Sequence, residues 1–149
     1  PSRHAIALHQ RFTVVTTTER SRVPVEGLVQ RYGMAGRARV RAADIPVLAL
    51  EDPASDAILK LRGEIARALE EDRAEAIVLG CAGMADLAAA LQREFGVPVI
   101  DGVGAAVKQA EALIALGLTT SKRGAYANPL AKPYRGALKS FAPGTVAAE

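Results

Sequence analysis

The chain has a single cysteine, Cys81, two histidines and no tryptophan. One cysteine excludes an intrachain disulfide and a cysteine-rich zinc site. It fits a reducing compartment, so the cytoplasm is the expected location. His4 and His9 stand near the start, away from any expected strand end, and no metal site is supported. Aromatic residues make up only 4% of the chain, three Tyr and three Phe, too few for a base-stacking surface. No apolar run approaches the ~18–20 residues that span a bilayer. A basic segment followed by an apolar one, the mark of a secretory signal, is also missing. Excess positive charge is scarcer than the net +3 suggests. Residues 118–149 carry five basic side chains against Glu149 alone, whereas residues 1–117 hold 14 basic and 15 acidic ones. The body has no cationic bias, so neither nucleic acid nor a membrane is an expected partner.

What remains is aliphatic. Half of the 149 residues are hydrophobic and 23% are charged, the balance of one globular domain. A chain of this length buries roughly 68–70% of its unfolded surface. The β-branched run at 12–17 reads as a buried strand. Val25, Leu28, Val29 and Tyr32 then recur at helical spacing until Gly33. Pro24 belongs in a first turn, which places that helix start near Ser21 or Arg22. Residues 37–43 alternate basic with small or apolar side chains, as in an edge strand with one wet face. Asp52-Pro53 marks a second helix start, and Ile58, Leu61, Ile65 and Leu69 form its apolar stripe.

Ile77-Val78-Leu79 is the continuous apolar core of a central parallel strand. A helix over 84–95 closed by Gly96, a strand over 97–100 and a last helix from Val103 to Gly117 complete the pattern. Val103, Ala106, Val107, Ala110, Leu113 and Ile114 line one face of that last helix. Four strand–helix units predict an α/β fold, an open doubly wound parallel sheet with helices on both faces. Residues 1–117 form this lobe. Residues 118–149 make a basic, proline-containing C-terminal segment without periodicity. Ala5, Ile6 and Leu8, ahead of the first strand, suit the end of a helix that begins upstream, as in a longer parent chain.

Open parallel sheets bind ligands beyond the carboxyl ends of their strands. Three such ends carry Thr16-Thr17-Thr18, Gly80-Cys81-Ala82-Gly83 and Asp101-Gly102. Cys81 follows a buried strand and precedes a helix, where free amides and the helix dipole favour an anion. Gly80 and Gly83 leave the sulfur open to a substrate. Gly102-x-Gly104-x-x-Val107 copies part of a dinucleotide fingerprint, but its third glycine is Val and no suitable acidic residue follows. It is read as a tight strand-to-helix turn, and no cofactor is implied.

Val78-Leu79-Gly80-Cys81-Ala82-Gly83-Met84 and Gly96-Val97-Pro98-Val99-Ile100-Asp101-Gly102 closely resemble the second half of the aspartate/glutamate/hydantoin racemase family. Val14-Val15-Thr16-Thr17, Arg31-Tyr32-Gly33 and Thr120-Ser121-Lys122-Arg123-Gly124-Ala125-Tyr126 resemble it in the same order. Cys-Ala-Gly-Met resembles the hydantoin or allantoin racemase branch, where the amino-acid racemases carry Thr and then Glu or His after this cysteine. The resemblance implies one lobe of a two-lobed, cofactor-independent racemase. A thiolate takes a proton from the carbon alpha to a carbonyl, and a thiol from the opposite lobe returns one to the other face. By position Cys81 is the second-lobe cysteine, and the first-lobe cysteine has no counterpart here. The implied substrate contacts are Thr16, Thr17, Ser21, Ala82, Gly83, Met84 and Gly102. With Ala at 82 and Gly at 83, no acid stands ready for a substrate ammonium, which suits a 5-substituted hydantoin or related ureide. Self-association is expected, because an open mouth exposes apolar surface. Two alternatives are a non-catalytic ligand-binding or assembly domain and a single-cysteine decarboxylase relative.

Overall fold

Four short β-branched or aliphatic runs become the strands of one sheet. In a computed structural model that describes residues 10–52, 54–130 and 132–142, they are β1 (Phe12–Thr16), β2 (Ala38–Ala42), β3 (Ala76–Leu79) and β4 (Val99–Asp101). The strand order is β2-β1-β3-β4, and every pairing is parallel. The helices are α1 (Glu19–Arg31), α2 (Ala57–Glu71), α3 (Ala88–Phe95) and α4 (Gly102–Ala115). The predicted doubly wound architecture is therefore present. Ala5, Ile6, Leu8 and both histidines lie outside the described residues.

Alternation along the strands sorts the core into two layers. Val15, Ile77 and Leu79 pack with Leu61 and Ile65 of α2, Leu91 of α3 and Met84, all buried. Phe12, Val14, Ala38, Ala76 and Val78 point to the other face, where Val25 and Val29 of α1 meet them. Leu61, Ile65, Ile77 and Val15 have no accessible surface, so the α2 face is a closed core. None of α4's residues is buried.

Several boundaries differ from the sequence reading for local reasons. The first helix starts at Glu19, which puts Pro24 inside it rather than in its first turn. The Thr18 and Ser21 hydroxyls bond at 3.0 Å, and Arg22 pairs with Glu19 and Glu26, so side chains hold the turn that lacks one amide donor. Asp52 does not open α2; its carboxylate accepts the Ala54 amide at 2.9 Å in a separate turn ahead of the helix. The helix placed over 84–95 is divided into a 3-10 run, Ala82–Leu87, and α3. Gly96 closes α3 at φ 66°, as its position implied.

The chain forms two compact units, residues 1–112 and 113–149. The second contains the 3-10 turns Gly124–Tyr126 and Gly136–Phe141 among irregular segments. Among the described residues, no helix is long and apolar enough to cross a membrane.

Candidate functional site

From β1 the chain runs to β2 on one side, then returns to β3 on the other. The carboxyl ends of β1 and β3 therefore flank the switch in strand order, the place where connections diverge and leave a crevice. Thr16, Thr17, Gly80 and Cys81 are the residues that the sequence delivers there.

Gly80 makes this close approach possible. Its amide donates to the Val15 carbonyl at 2.8 Å, continuing the ladder one residue past β3. A Cβ on Gly80 would stand 3.1 Å from Thr16 Cβ, 3.2 Å from Thr16 Cα and 3.2 Å from Val14 Cγ1. Cys81 follows in an extended conformation, φ −136° and ψ 136°, and is half-buried. Its carbonyl accepts the Met84 amide at 3.1 Å, which turns the chain into the 3-10 run. The sequence places an α-helix N-terminus beside Cys81, but the structure puts a six-residue 3-10 run there and begins α3 only at Ala88. Each helical segment leaves its first amides without internal acceptors, and in this run they belong to Ala82 and Gly83, directly after Cys81.

Gly83 plays a different part from Gly80. A Cβ there would meet only ordinary contacts, 3.8 Å from Cys81 Sγ, 3.6 Å from Val47 Cγ1 and 3.8 Å from Leu50 Cδ1. Val47 and Leu50 belong to a 3-10 turn, Val47–Leu50, that lies beside Gly83 and that sequence reasoning missed. Pro46 immediately before an apolar quartet was the available signal.

The remaining predicted residues divide into groups. Thr16 and Thr17 are 1% and 3% exposed, and their carbonyls accept the Ala43 and Ile45 amides at 2.9 and 2.8 Å. Their backbones thus tie the end of β1 to the chain leaving β2. Ser21 sits in the first turn of α1, held by Thr18. Ala82 and Gly83 are exposed. Gly102 and Ala82 line the same groove as Gly80 and Cys81. Met84 is completely buried in the α2–α3 layer, so its side chain supports the turn from below instead of lining the mouth.

Asp101 is a site-adjacent residue whose role the sequence reading did not specify. Its carboxylate accepts the Val103 amide at 2.7 Å and the Gly104 amide at 2.9 Å, capping α4. A Cβ on Gly104 would stand 2.5 Å from Asp101 Oδ2, which explains the Gly-x-Gly turn without any dinucleotide. The positive end of α4 is already neutralised by this carboxylate. Among the described residues, no group of three or more His, Cys, Asp or Glu could hold a metal. The groove beside Cys81 has a volume of about 290 Å³ and, among the described residues, no Asp, Glu, Lys, Arg or His in its lining.

A half-buried thiol at a strand switch, facing a groove lined mainly by aliphatic side chains, suits proton transfer on an uncharged carbonyl compound. Comparison with known proteins bears on the same reading. Residues 2–110 match the Asp/Glu/Hydantoin racemase family. The chain is 53% identical over 133 residues to a hydantoin racemase of Rhizobium meliloti, covering 89% of this chain and 55% of that protein. It is 49% identical over 138 residues to a hydantoin racemase of Pseudomonas sp. (strain NS671), covering 92% and 55%. The structure superposes on an allantoin racemase from Klebsiella pneumoniae with a TM-score of 0.82 and 48% identity, over 95% of this chain and 58% of that one. The chain thus spans a little over half the length of the relatives it matches. Its sequence and its sheet together make it a member of the Asp/Glu/hydantoin racemase family.

Proposed function

We propose that this chain supplies one proton-transfer face of a cofactor-independent racemase acting on 5-substituted hydantoins or related ureides. The observation that carries the reading is the position of Cys81, on the glycine-flanked turn at the carboxyl end of β3, across the strand switch from Thr16 and Thr17. As thiolate, Cys81 takes the proton from C5, and the electron pair left on carbon passes to the C4 carbonyl as an enolate. Amides such as those of Ala82 and Gly83 stabilise the enolate oxygen. Inversion then requires a proton donor on the opposite face, and Cys81 is the single cysteine of these 149 residues. The Ala and Gly at positions 82 and 83 keep the site free of carboxylates, as a neutral ring requires, and the relatives' names point to the same substrate class.

Alkylation of the single thiol tests substrate binding. Iodoacetamide modification of Cys81, followed by intact-mass measurement, is expected to slow severalfold when a 5-substituted hydantoin is present. An unchanged rate at saturating hydantoin contradicts the reading. Protection of Cys81 without any proton exchange at C5 would instead favour a ligand-binding domain that has lost the reaction, the reading to which the single cysteine lends weight.

A further inference from the structure

The 3-10 turn Val47–Leu50 is fixed on both sides. Ahead of it, the Ile45 amide donates to the Thr17 carbonyl at 2.8 Å, which ties the segment to the end of β1. Within it, the Ala49 amide donates to the Pro46 carbonyl at 3.0 Å and the Glu51 amide to the Leu48 carbonyl at 3.2 Å. From beyond it, the Ser55 hydroxyl donates to the Ala49 carbonyl at 2.5 Å. These bonds use the carbonyls of Pro46, Leu48 and Ala49, and the quartet Val-Leu-Ala-Leu has no polar side chain of its own.

This turn packs against the run Ala82–Leu87, and Leu50 and Cys81 both rest on the α2–α3 core layer. The approach is closest at Gly83. A Cβ on that exposed residue would stand 3.6 Å from Val47 Cγ1, 3.8 Å from Leu50 Cδ1 and 3.8 Å from Cys81 Sγ. The sulfur and two methyl groups thus surround one place, and glycine leaves it without a side chain. Leu50 is backed by the core, whereas Val47 is 46% exposed and meets solvent there.

A base approaches the carbon it deprotonates to about 3–3.5 Å. An atom bonded to that carbon, ~1.5 Å further on at a tetrahedral angle, then lies about 4 Å from the base. That is close to the 3.8 Å between Sγ and the Cβ position of Gly83. We propose that Val47 and Leu50, facing each other across Gly83, are the specificity-determining contacts for the substituent on C5 and select hydantoins that carry an apolar one. The proposal rests on the reading of Cys81 as the base at C5.

Protection of Cys81 from iodoacetamide, read by intact mass, gives an apparent dissociation constant for each hydantoin. In the parent chain, 5-isobutylhydantoin is expected to bind about tenfold more tightly than 5-methylhydantoin. Val47→Ala should reduce that ratio about fourfold, and Gly83→Ala, whose methyl fills the place itself, should reduce it as well. A ratio taken within each variant removes any change in the thiol's own reactivity. Val47 lies outside the buried core, so circular dichroism should show Val47→Ala folded. Leu48→Ala removes a larger side chain, 79% exposed in the same turn, and should keep the parent ratio. Protection by both hydantoins at a ratio near one overturns this inference and leaves the proposed reaction standing. So does a ratio that Leu48→Ala lowers as far as Val47→Ala does, or that falls only in Leu28→Ala, on the α1 side of the groove. Protection by neither hydantoin contradicts the reading of Cys81 as the base, and this inference with it.

Discussion

Two glycines flank the sulfur, and they should respond oppositely to the same small change. At Gly80 a methyl group meets the backbone of Thr16 at 3.2 Å, an approach that only a shift of β1 or β3 relieves. Gly80→Ala is therefore expected to destabilise the fold by about 1–3 kcal/mol, measured as a lower urea midpoint. At Gly83 the nearest atom is 3.6 Å away, so Gly83→Ala should leave stability within about 0.5 kcal/mol. Its methyl lies 3.8 Å from Cys81 Sγ, however, and alkylation of the thiol should slow. A fast-reacting Gly83→Ala protein would show that the sulfur opens in another direction. The place of Cys81 at the end of β3 was legible in the sequence, because a glycine-flanked segment after a continuous apolar run marks the end of a central parallel strand. Met84 was less so, since its place in the core depends on the 3-10 turn that swings it under the sheet. Val47 and Leu50 were missed because their place beside Gly83 is set by the loop after β2, not by any local period.

The arginines of β2 make the same point for elements. Alternation identified β2 as an edge strand and made its basic face the wet one. The structure keeps the edge but turns Arg41 onto the α2 face, against residues at the end of that helix. Its guanidinium donates to both Asp72 oxygens at 2.6 and 2.7 Å, to Glu71 at 2.7 Å and to the buried Glu64 at 3.2 Å. Thr13 adds a hydrogen bond to Asp72 at 2.9 Å, linking β1 to the same cluster. No periodicity within β2 reveals acids contributed from the end of α2, more than twenty residues later. Arg41→Met would leave Asp72 to Thr13 alone and the buried Glu64 to Arg67 alone, and should cost about 1–3 kcal/mol, unlike the exposed Arg62–Glu94 pair, whose loss should cost under about 1 kcal/mol. The Arg41 hydrogen bonds hold the Asp72 carboxyl below the usual carboxylate range, with Thr13 helping. A lowered value means that this stabilisation is complete above the ordinary carboxylate value and is lost as pH falls through the lowered one. Urea midpoints should therefore fall as pH drops below the ordinary carboxylate range, and Asp72→Asn should flatten that decline while lowering stability at neutral pH. An equally steep acid decline in Asp72→Asn would show that another group governs acid stability.

Across the whole molecule, the alternation of aliphatic strands with amphipathic helices was enough to read a doubly wound sheet from composition and spacing. Strand order follows from the crossovers, and with it the meeting of Thr16 and Cys81 at one switch. The exposure of α4 was not legible, since its apolar stripe has the same spacing whether or not it is buried. The proposed chemistry depends on Cys81 moving the proton at C5, and exchange of that proton for solvent deuterium is the decisive measurement. Exchange needs only one acid–base face, since the same sulfur can return a solvent deuteron. Proton NMR of a 5-substituted hydantoin in deuterated buffer should show the C5 signal disappearing faster with the chain present, and Cys81→Ser should return the rate to the uncatalysed one. Accelerated exchange that persists unchanged in Cys81→Ser would mean that the sulfur is not the base.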